Sequence, residues 1–410
     1  MNISRATRKK KRRPLRSGAS LSQAPKLKAT DPQVIELWAR AGGRCEFHGC
    51  NEYLLQDKLT TCKAKLADIA HIVARSKDGA RGEDPMPMSQ RNGIHNLLLA
   101  CTTHHRLIDN RALVKKYPKD LLVGYKQAHE ERIRYVTDLG PESETVVVRL
   151  LGNIRGNSVS VSDEAIRGAV LQSLNRYPRY LGGEHHIEID LTNLPRNVAH
   201  RYWSGGVELI NDVVDRMLVP GIEKGEIRHL SVFAFASIPF LAYFGHAIGD
   251  KIPLEIFQKH RNGDEGWVWP ADGEPSRFSY KKVQDGSDET LVAVTLSLSG
   301  QISNEQLPNG LLQGFTIYSI MPVGTAPNRT ILSSRNSLEA FRRVYADLLR
   351  DIEQHHPHAS VIHIFPAIPI SGAIILGREL LRNVSPSVLI YDLGTSQFEP
   401  AVRIERSKQN

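Results

Sequence analysis

Residues 70–109 read AHIVARSKDGARGEDPMPMSQRNGIHNLLLACTTHHRLID. His71 closes a short apolar run, Asn96 lies five residues before Cys101, and His105 lies four residues after it. A base, an orienting amide and a ligand for a hard cation, set over a cysteine knuckle, are what metal-dependent phosphodiester hydrolysis requires. His71 suits the base, because an imidazole with an unperturbed pKa of ~6.5 is largely neutral at physiological pH. It would take a proton from the water that attacks phosphorus. His105, beside the knuckle, is the natural ligand for a divalent cation that stabilises charge on the phosphate and the departing 3′ oxygen. Asn96 is expected to hydrogen-bond across the loop and fix the orientation of His71.

Two ligand pairs flank this segment. Cys45-x4-Cys50 and Cys101-x2-His104 lie about fifty residues apart, and tetrahedral zinc takes four such N/S ligands from paired knuckles. The expectation is a structural zinc on Cys45, Cys50, Cys101 and His104. A separate magnesium-like ion at His105 would serve catalysis. Cys62 falls outside both pairs and reads as a free thiol.

On these residues, 40–110 resemble the HNH endonucleases of the ββα-metal type. The resemblance implies that the first histidine is the general base, that the last binds the catalytic metal and that the asparagine supports the loop. Those roles fall on His71, His105 and Asn96. Members often carry an acidic metal ligand immediately before the first histidine, where this chain has Ala70. Asp68, on the same side of an alternating strand as position 70, supplies the carboxylate if the loop bends. Asp109 is a further candidate, and Asn92 and His104 are alternates to the assigned residues.

With 410 residues, 41% hydrophobic and 24% charged, the chain has room for two or three soluble domains. Its longest apolar runs are broken by Ser237, Pro239, Pro366 and Pro369, which excludes a membrane span. A basic start without an apolar core after it is not a secretory signal, so a cytoplasmic location is expected. Four cysteines without an export signal suggest thiol or metal-ligand roles rather than a disulfide framework. Ten Lys and Arg and no acid fall in residues 1–30, so a net charge of +9 leaves about −1 for the rest. Such a tail reads as disordered and suited to phosphate backbones.

The expected organisation is a basic tail at 1–30, a nuclease domain at 31–140, a linker at 141–158 and a second domain at 159–410. In the nuclease domain, a helix capped at Asp31 stops at Gly42-Gly43, a strand covers 66–73, residues 96–107 open as a helix, and a basic amphipathic helix covers 118–136. Beyond residue 158, apolar runs of strand length alternate with helical patterns, as in parallel α/β architecture. A weak repeat of strand, F-x-x-I-P, helix, strand occurs at Phe235–Pro239 and Phe365–Pro369. It predicts two doubly wound halves with a crevice between them. Ligands in such sheets sit at the carboxyl ends of strands, where helix amino-termini meet phosphate. Ser237, Ile238, Pro239, Pro366, Ala367, Ile368 and Pro369 occupy that position. Lys259, Arg261, Trp267 and Trp269, and the cluster Arg201, Tyr202 and Trp203, mix cations with aromatic rings that suit phosphates and purines. Arg378 is a further candidate.

Through HLSVFAFASIPFLAYFG, EIFQKHRNGDEGWVW and HIFPAIPISGAIILGREL, residues 160–405 resemble the SAVED domain, two fused CARF-like, Rossmann-like units. The expected fold is therefore α/β and multi-domain: a small ββα-metal nuclease with structural zinc, then a SAVED domain. HNH followed by SAVED matches effectors of bacterial anti-phage cyclic-nucleotide signalling (CBASS). What the resemblance implies is an endonuclease for double-stranded DNA that is idle until a cyclic di- or trinucleotide, cGAMP-like, binds. The ligand would drive assembly into a homo-oligomer, dimer to tetramer. Two alternatives compete. One is a restriction-type HNH enzyme whose C-terminal half reads modified DNA directly, which the near-zero charge outside the tail disfavours. The other is a zinc-ribbon regulator without catalysis, favoured only by Ala70.

Overall fold

The computed structural model describes residues 26, 31–57, 59–64, 66–154, 156–179, 186–196, 198–260, 266–270, 275–309, 313–380 and 385–405. The basic tail, Lys26 apart, and Arg261 lie outside the described residues. Two compact units divide the chain, residues 1–138 and 139–410.

In the first unit, helix α1 (Pro32–Arg40) follows Asp31 at its N-cap and turns Val34 and Leu37 into the core. Gly42 and Gly43 then take φ of +59° and +67°, a left-handed pair that ends the helix because only glycine enters that region freely. Strands β1 (Ala67–His71) and β2 (Leu97–Cys101) pair antiparallel, with His71 opposite Leu97 and Ala67 opposite Cys101. Helices α2 (Thr102–Asp109) and α3 (Lys119–Thr137) follow. The order β1, loop, β2, α2 places His71 at a strand end and His105 on the adjoining helix. The helix expected to open at Asn96 is corrected here: Leu97–Cys101 is a fully buried strand and the helix begins at Thr102. An apolar run this short fits either state, and pairing with β1 decides it.

The second unit opens with β3 (Glu144–Leu151), inside the stretch expected to be a linker. Its run ETVVVRLL is buried and pairs with strands on both sides, so these residues belong to the sheet. There follow α4 (Asp163–Leu174), β4 (Tyr177–Arg179), β5 (Ile187–Asp190), α5 (Ala199–Val213), α6 (Val219–Glu223), β6 (Leu230–Phe235), α7 (Ile238–Ile248) and β7 (Leu254–Phe257). They form a parallel sheet of order β4-β3-β6-β7, with β5 also on β3. The second sheet takes β8 (Phe278–Gln284), β9 (Leu291–Ser297), β10 (Thr316–Pro322), β11 (Val361–Ala367), β12 (Ser387–Leu393) and β13 (Phe398–Ile404), with helices α8 (Arg335–His355) and α9 (Ile370–Arg378). Its order is β13-β12-β11-β9-β10-β8, parallel at the centre and antiparallel at both edges.

The repeat read in the sequence is structural: β6-α7-β7 and β11-α9-β12 are both strand–helix–parallel-strand units. The helices start two residues out of step with the motif, α7 at Ile238 and α9 at Ile370. Measured from those starts, Gly245 and Gly377 are equivalent. They meet across the contact between α7 and α9. A Cβ on Gly245 would lie 2.1 Å from the Ile374 carbonyl oxygen, and one on Gly377 would lie 1.7 Å from that of Ala242. The two helices thus share one core with the inner faces of both sheets. Gly377→Ala should lower the stability of this unit by about 2–3 kcal/mol through overpacking. Gly168→Ala on α4, where no atom lies within 4 Å of the added carbon, should be neutral or stabilising. Thermal melts of both variants test this, and equal melting would remove the close crossing as a constraint.

His229, just before β6, is buried with Nδ1 2.8 Å from Thr145 Oγ1. Burial, reinforced by the positive charge of Arg176, pushes its pKa down from 6.5 to about 4. Between those values the unfolded chain binds a proton that the folded one refuses, so stability is intact above pH 6.5 and lost as pH falls to 4. The loss is about 3 kcal/mol. The stability difference between wild type and His229→Gln should change by that amount over the interval. A pH-independent difference would contradict the assignment.

Candidate active site

The four expected zinc ligands converge. The ligand atoms of Cys45, Cys50, Cys101 and His104 all lie within 4.8 Å of one another. His104 Nδ1 is 3.1 Å from Cys101 Sγ and 3.7 Å from Cys45 Sγ, separations that suit the edges of a tetrahedron with bonds of about 2.0–2.3 Å. Burial pushes the Cys45 thiol up to about 12, and the neighbouring sulfurs add to the rise. Bare thiolates are therefore disfavoured here, and a divalent cation bound by these four donors would supply the compensating charge. Burial also lowers the pKa of His104, keeping it neutral as a ligand must be. Phe47 stacks on its ring at 4.1 Å. Cys62 is exposed and outside the cluster.

One residue of this support was missed in the sequence. Glu46 is fully buried, and its backbone N–H donates to the Leu99 carbonyl at 2.9 Å. Its carboxylate accepts from the Leu99 N–H and faces buried Lys126 at 3.5 Å. The knuckle is thereby docked on the free edge of β2. The available signal was an acid directly after the first cysteine of the Cys-x4-Cys pair.

His71 is half-buried, and burial lowers its pKa below 6.5. Its Nε2 lies 3.0 Å from Asn92 Oδ1. A carbonyl oxygen there requires the proton on Nε2 and leaves Nδ1 with its lone pair. Asn96 does not touch the ring. Buried, it accepts from Val73 N–H at 2.8 Å and donates to the carbonyls of Val73 (2.9 Å) and Arg91 (2.8 Å). It locks the chain just after His71 across the loop, as expected, while Asn92 holds the imidazole.

His105 stands between two carboxylates, Nδ1 3.4 Å from Asp68 and Nε2 3.2 Å from Asp109. The bond to Asp109, then the charges of both acids, raise its pKa. Both acids that the sequence offered in place of Ala70 thus reach His105, while Ala70 is buried in the core. Because the two acids lie against opposite ring nitrogens, a hard cation taken by one nitrogen of His105 could share only the carboxylate beside that nitrogen.

At the carboxyl edge of the first sheet in the second unit, the residues just beyond β3, β5 and β6 meet. Ser237 Oγ lies 3.3 Å from the Tyr202 hydroxyl, and Arg196 donates to that hydroxyl at 3.2 Å. The Arg196 guanidinium also lies 5.2 Å from the Tyr202 ring centre and donates to the Asn153 carbonyl. Asn153 in turn donates to Thr192 O at 2.8 Å. Arg196 and Asn153 were not singled out in the sequence; a cation just beyond a parallel strand was the signal.

Several expected ligand contacts are corrected. Arg201 is exposed, and Trp203 packs on Phe240 at 4.9 Å, because successive helical residues point apart. Trp267 and Trp269 are buried against the outer face of the sheet. Trp267 lies 5.4 Å from Phe233, and Trp269 Nε1 donates to Ile256 O at 3.0 Å. Lys259 lines a recess beside Trp267, Ser160 and Ser162 on that outer face. Pro239 and Ile368 are buried, and Ile238 packs against the core. Pro366 and Ala367 belong to β11, where the Ala367 carbonyl accepts from Leu298 and Ser299. Pro369 caps α9, but the first turn of that helix is occupied by buried Gln258, which accepts from Ser371 N at 3.3 Å and Ser371 Oγ at 2.8 Å. Arg378 sits at the far end of α9 and donates to Ile252 O at 2.6 Å. Of the two helix amino-termini expected to meet phosphate, only that of α7 faces the polar cluster.

Two sheets built on strand–helix–parallel-strand units, one with a polar cluster at its carboxyl edge, make the second unit a doubly built α/β fold. Residues 210–404 match the family described as SAVED, the SMODS-associated and fused to various effectors sensor domain, so this unit contains a SAVED domain. The match begins within α5 and ends at the close of β13. Among solved structures, a Cap4 SAVED/CARF-domain containing receptor of Acinetobacter baumannii with the cyclic trinucleotide 2'3'3'-cAAA is similar at 13% identity and a TM-score of 0.43, covering 72% of this chain and 62% of that one. A Moraxella osloensis Cap4 receptor is similar at 12% identity and a TM-score of 0.39, covering 72% and 59%. The chain thus spans about three-fifths of the length of those receptors. No curated protein sequence matches it. Among the described residues, no helix is long and apolar enough to cross a membrane.

Proposed function

We propose that the first unit is an HNH-type, metal-dependent DNA endonuclease and that the SAVED-containing unit switches it on when a cyclic di- or trinucleotide binds. The observation that carries the catalytic half is the pairing of His71, its Nδ1 left free by the bond to Asn92, with His105 bracketed by Asp68 and Asp109. His71 accepts the proton of the attacking water on Nδ1 as the oxygen–phosphorus bond forms and the bond to the 3′ oxygen breaks. Asn92 stabilises the imidazolium so formed and holds its plane. His105, with Asp68 or Asp109 according to which ring nitrogen it offers, would hold a divalent cation, which when bound supplies positive charge to the phosphate and the leaving oxygen. Cys45, Cys50, Cys101 and His104 would hold a structural zinc that fixes the root of α2, and so the place of His105.

The regulatory half rests on the sensor-domain match and on the cluster of Arg196, Tyr202, Ser237 and Asn153. The Arg196 guanidinium, held on the buried Tyr202 beside the amino-terminus of α7, offers a phosphate a complementary surface. One hydrolytic centre cuts one strand, so ligand-driven assembly of two or more chains gives double-strand cleavage a physical route. The test incubates the protein with magnesium, supercoiled plasmid and a panel of cyclic nucleotides, with light scattering alongside. Cleavage and a larger particle are expected with one ligand only. Cutting that ignores every ligand removes the switch, and no cutting under any ligand and cation removes the nuclease.

A further inference from the structure

We infer that Arg81 is a positioning residue that holds together the two walls of the hydrolytic site, the end of β1 that carries His71 and the helix α2 that carries His105 and Asp109. Its functional consequence rests on the nuclease reading above. Arg81 is not a zinc or cation ligand, and nothing in its sequence context marks it. It takes a φ of +55°, a left-handed conformation that a residue with a side chain adopts only at a cost. The turn around it leaves little choice. A Cβ on Gly79 would lie 2.3 Å from Ala74 Cβ, and one on Gly82 would lie 2.3 Å from the Lys77 carbonyl oxygen. Ala74 N–H closes the turn on Ala80 O at 3.1 Å. The backbone is wound so that the arginine side chain runs inward, beneath the loop.

There the guanidinium spans three carbonyls from separate segments. Nε donates to Ile72 O, and Nη1 donates to Ile108 O at 2.8 Å and to Tyr117 O at 3.3 Å. Ile72 directly follows His71, and Ile108 directly precedes Asp109. Ile108 also lies in the last turn of α2, where carbonyls lack helical partners and a cation is favoured. Nη2 is buried without a hydrogen-bond partner among the described residues. A strained backbone and a desolvated guanidinium are thus retained where one side chain ties the base to the helix that bears the cation ligands. Without it, the walls keep the strand pair and the Asp68–His105 contact, but the chain just beyond His71 loses its tie to the end of α2. An ångström of misplacement between reacting groups is enough to cost a large factor in rate.

The test uses the full zinc-loaded chain, with Arg81→Ala, Arg81→Lys and, as control, Lys119→Ala. The last unties Asp84, 3.1 Å away, on the same loop. All are assayed well below their own melting temperatures. Arg81→Ala should lower kcat by about 10- to 100-fold and weaken Mn2+ binding, read directly by electron paramagnetic resonance, by a similar factor, with KM for DNA unchanged. Arg81→Lys, with one donor group in place of a fork, should fall between. Lys119→Ala should leave both readouts at wild-type values. Arg81→Ala that melts earlier but, once folded, cuts and binds Mn2+ like wild type would overturn the inference, as would an equal loss in Lys119→Ala. If the wild type cuts nothing while Mn2+ binding still weakens in Arg81→Ala, the positioning role stands and the nuclease reading falls.

Discussion

His71→Ala is expected to lower ligand-stimulated plasmid cleavage by about 10²- to 10⁴-fold, the range of a general base in the transition state. The fold should survive, because His71 is only half-buried and closes a strand whose ladder runs through backbone groups. Cyclic-nucleotide affinity should not move, since the polar cluster of the second unit uses none of these residues. The pH profile carries the same assignment. Burial depresses the pKa of His71 below 6.5, so the neutral, proton-accepting form persists into mildly acid solution. Cleavage should therefore rise with pH through an apparent pKa below 6.5 and then level off. Asn92→Ala removes a bond that raises that pKa, so its acid limb should lie lower still, at a reduced plateau. Retained cutting by His71→Ala, or an acid limb above 6.5, would overturn the base assignment.

The second large effect concerns zinc. Structural sites of this donor set bind with apparent energies of about 10–16 kcal/mol, comparable to or larger than the whole stability of a small domain. Chelation, or Cys101→Ser, is expected to abolish the cooperative thermal transition of the first unit while that of the second survives. The reason lies in connectivity. Cys45 and Cys50 belong to a loop, whereas Cys101 ends β2 and His104 lies in the first turn of α2, so loss of the ion detaches the knuckle from the elements that present the site. Cys62→Ser, at an exposed position outside the cluster, should change neither melting nor zinc content by mass spectrometry. Unchanged amide-exchange protection across Leu97–Cys101 after chelation would show that the four ligands need no metal to hold this fold.

Much of the site was legible because its chemistry is local in the chain. The Cys-x4-Cys and Cys-x2-His pairs, His71 and His105 each sit at a spacing that has meaning before folding, and the structure brings the four ligand atoms within 4.8 Å. The repeat was legible for a similar reason: a strand followed by a proline-bearing helix start leaves the same trace twice. The tryptophans were not. A run such as Lys259 to Trp269 carries cations and indoles whether it faces a ligand or covers a sheet, and composition cannot say which side of β7 it lies on. Residues 141–158 were misread because a single strand between polar stretches becomes the centre of a sheet only once partners from distant parts of the chain lie on both sides of it.

What the amino-acid order determined by itself was the inventory: two Cys/His pairs, the histidines at 71 and 105, two strand–helix–strand units and a basic tail set apart from a near-neutral body. Those follow from side-chain chemistry and short-range periodicity. The tertiary structure alone decided that Asn92 rather than Asn96 grips the imidazole, that Asp68 and Asp109 both reach His105, and that Gln258 fills the first turn of α9. It alone set Arg81 across two walls of one site. Each of these is a contact between groups far apart along the chain or turned by the backbone, and such contacts exist only once the packing of the whole unit has fixed directions as well as distances.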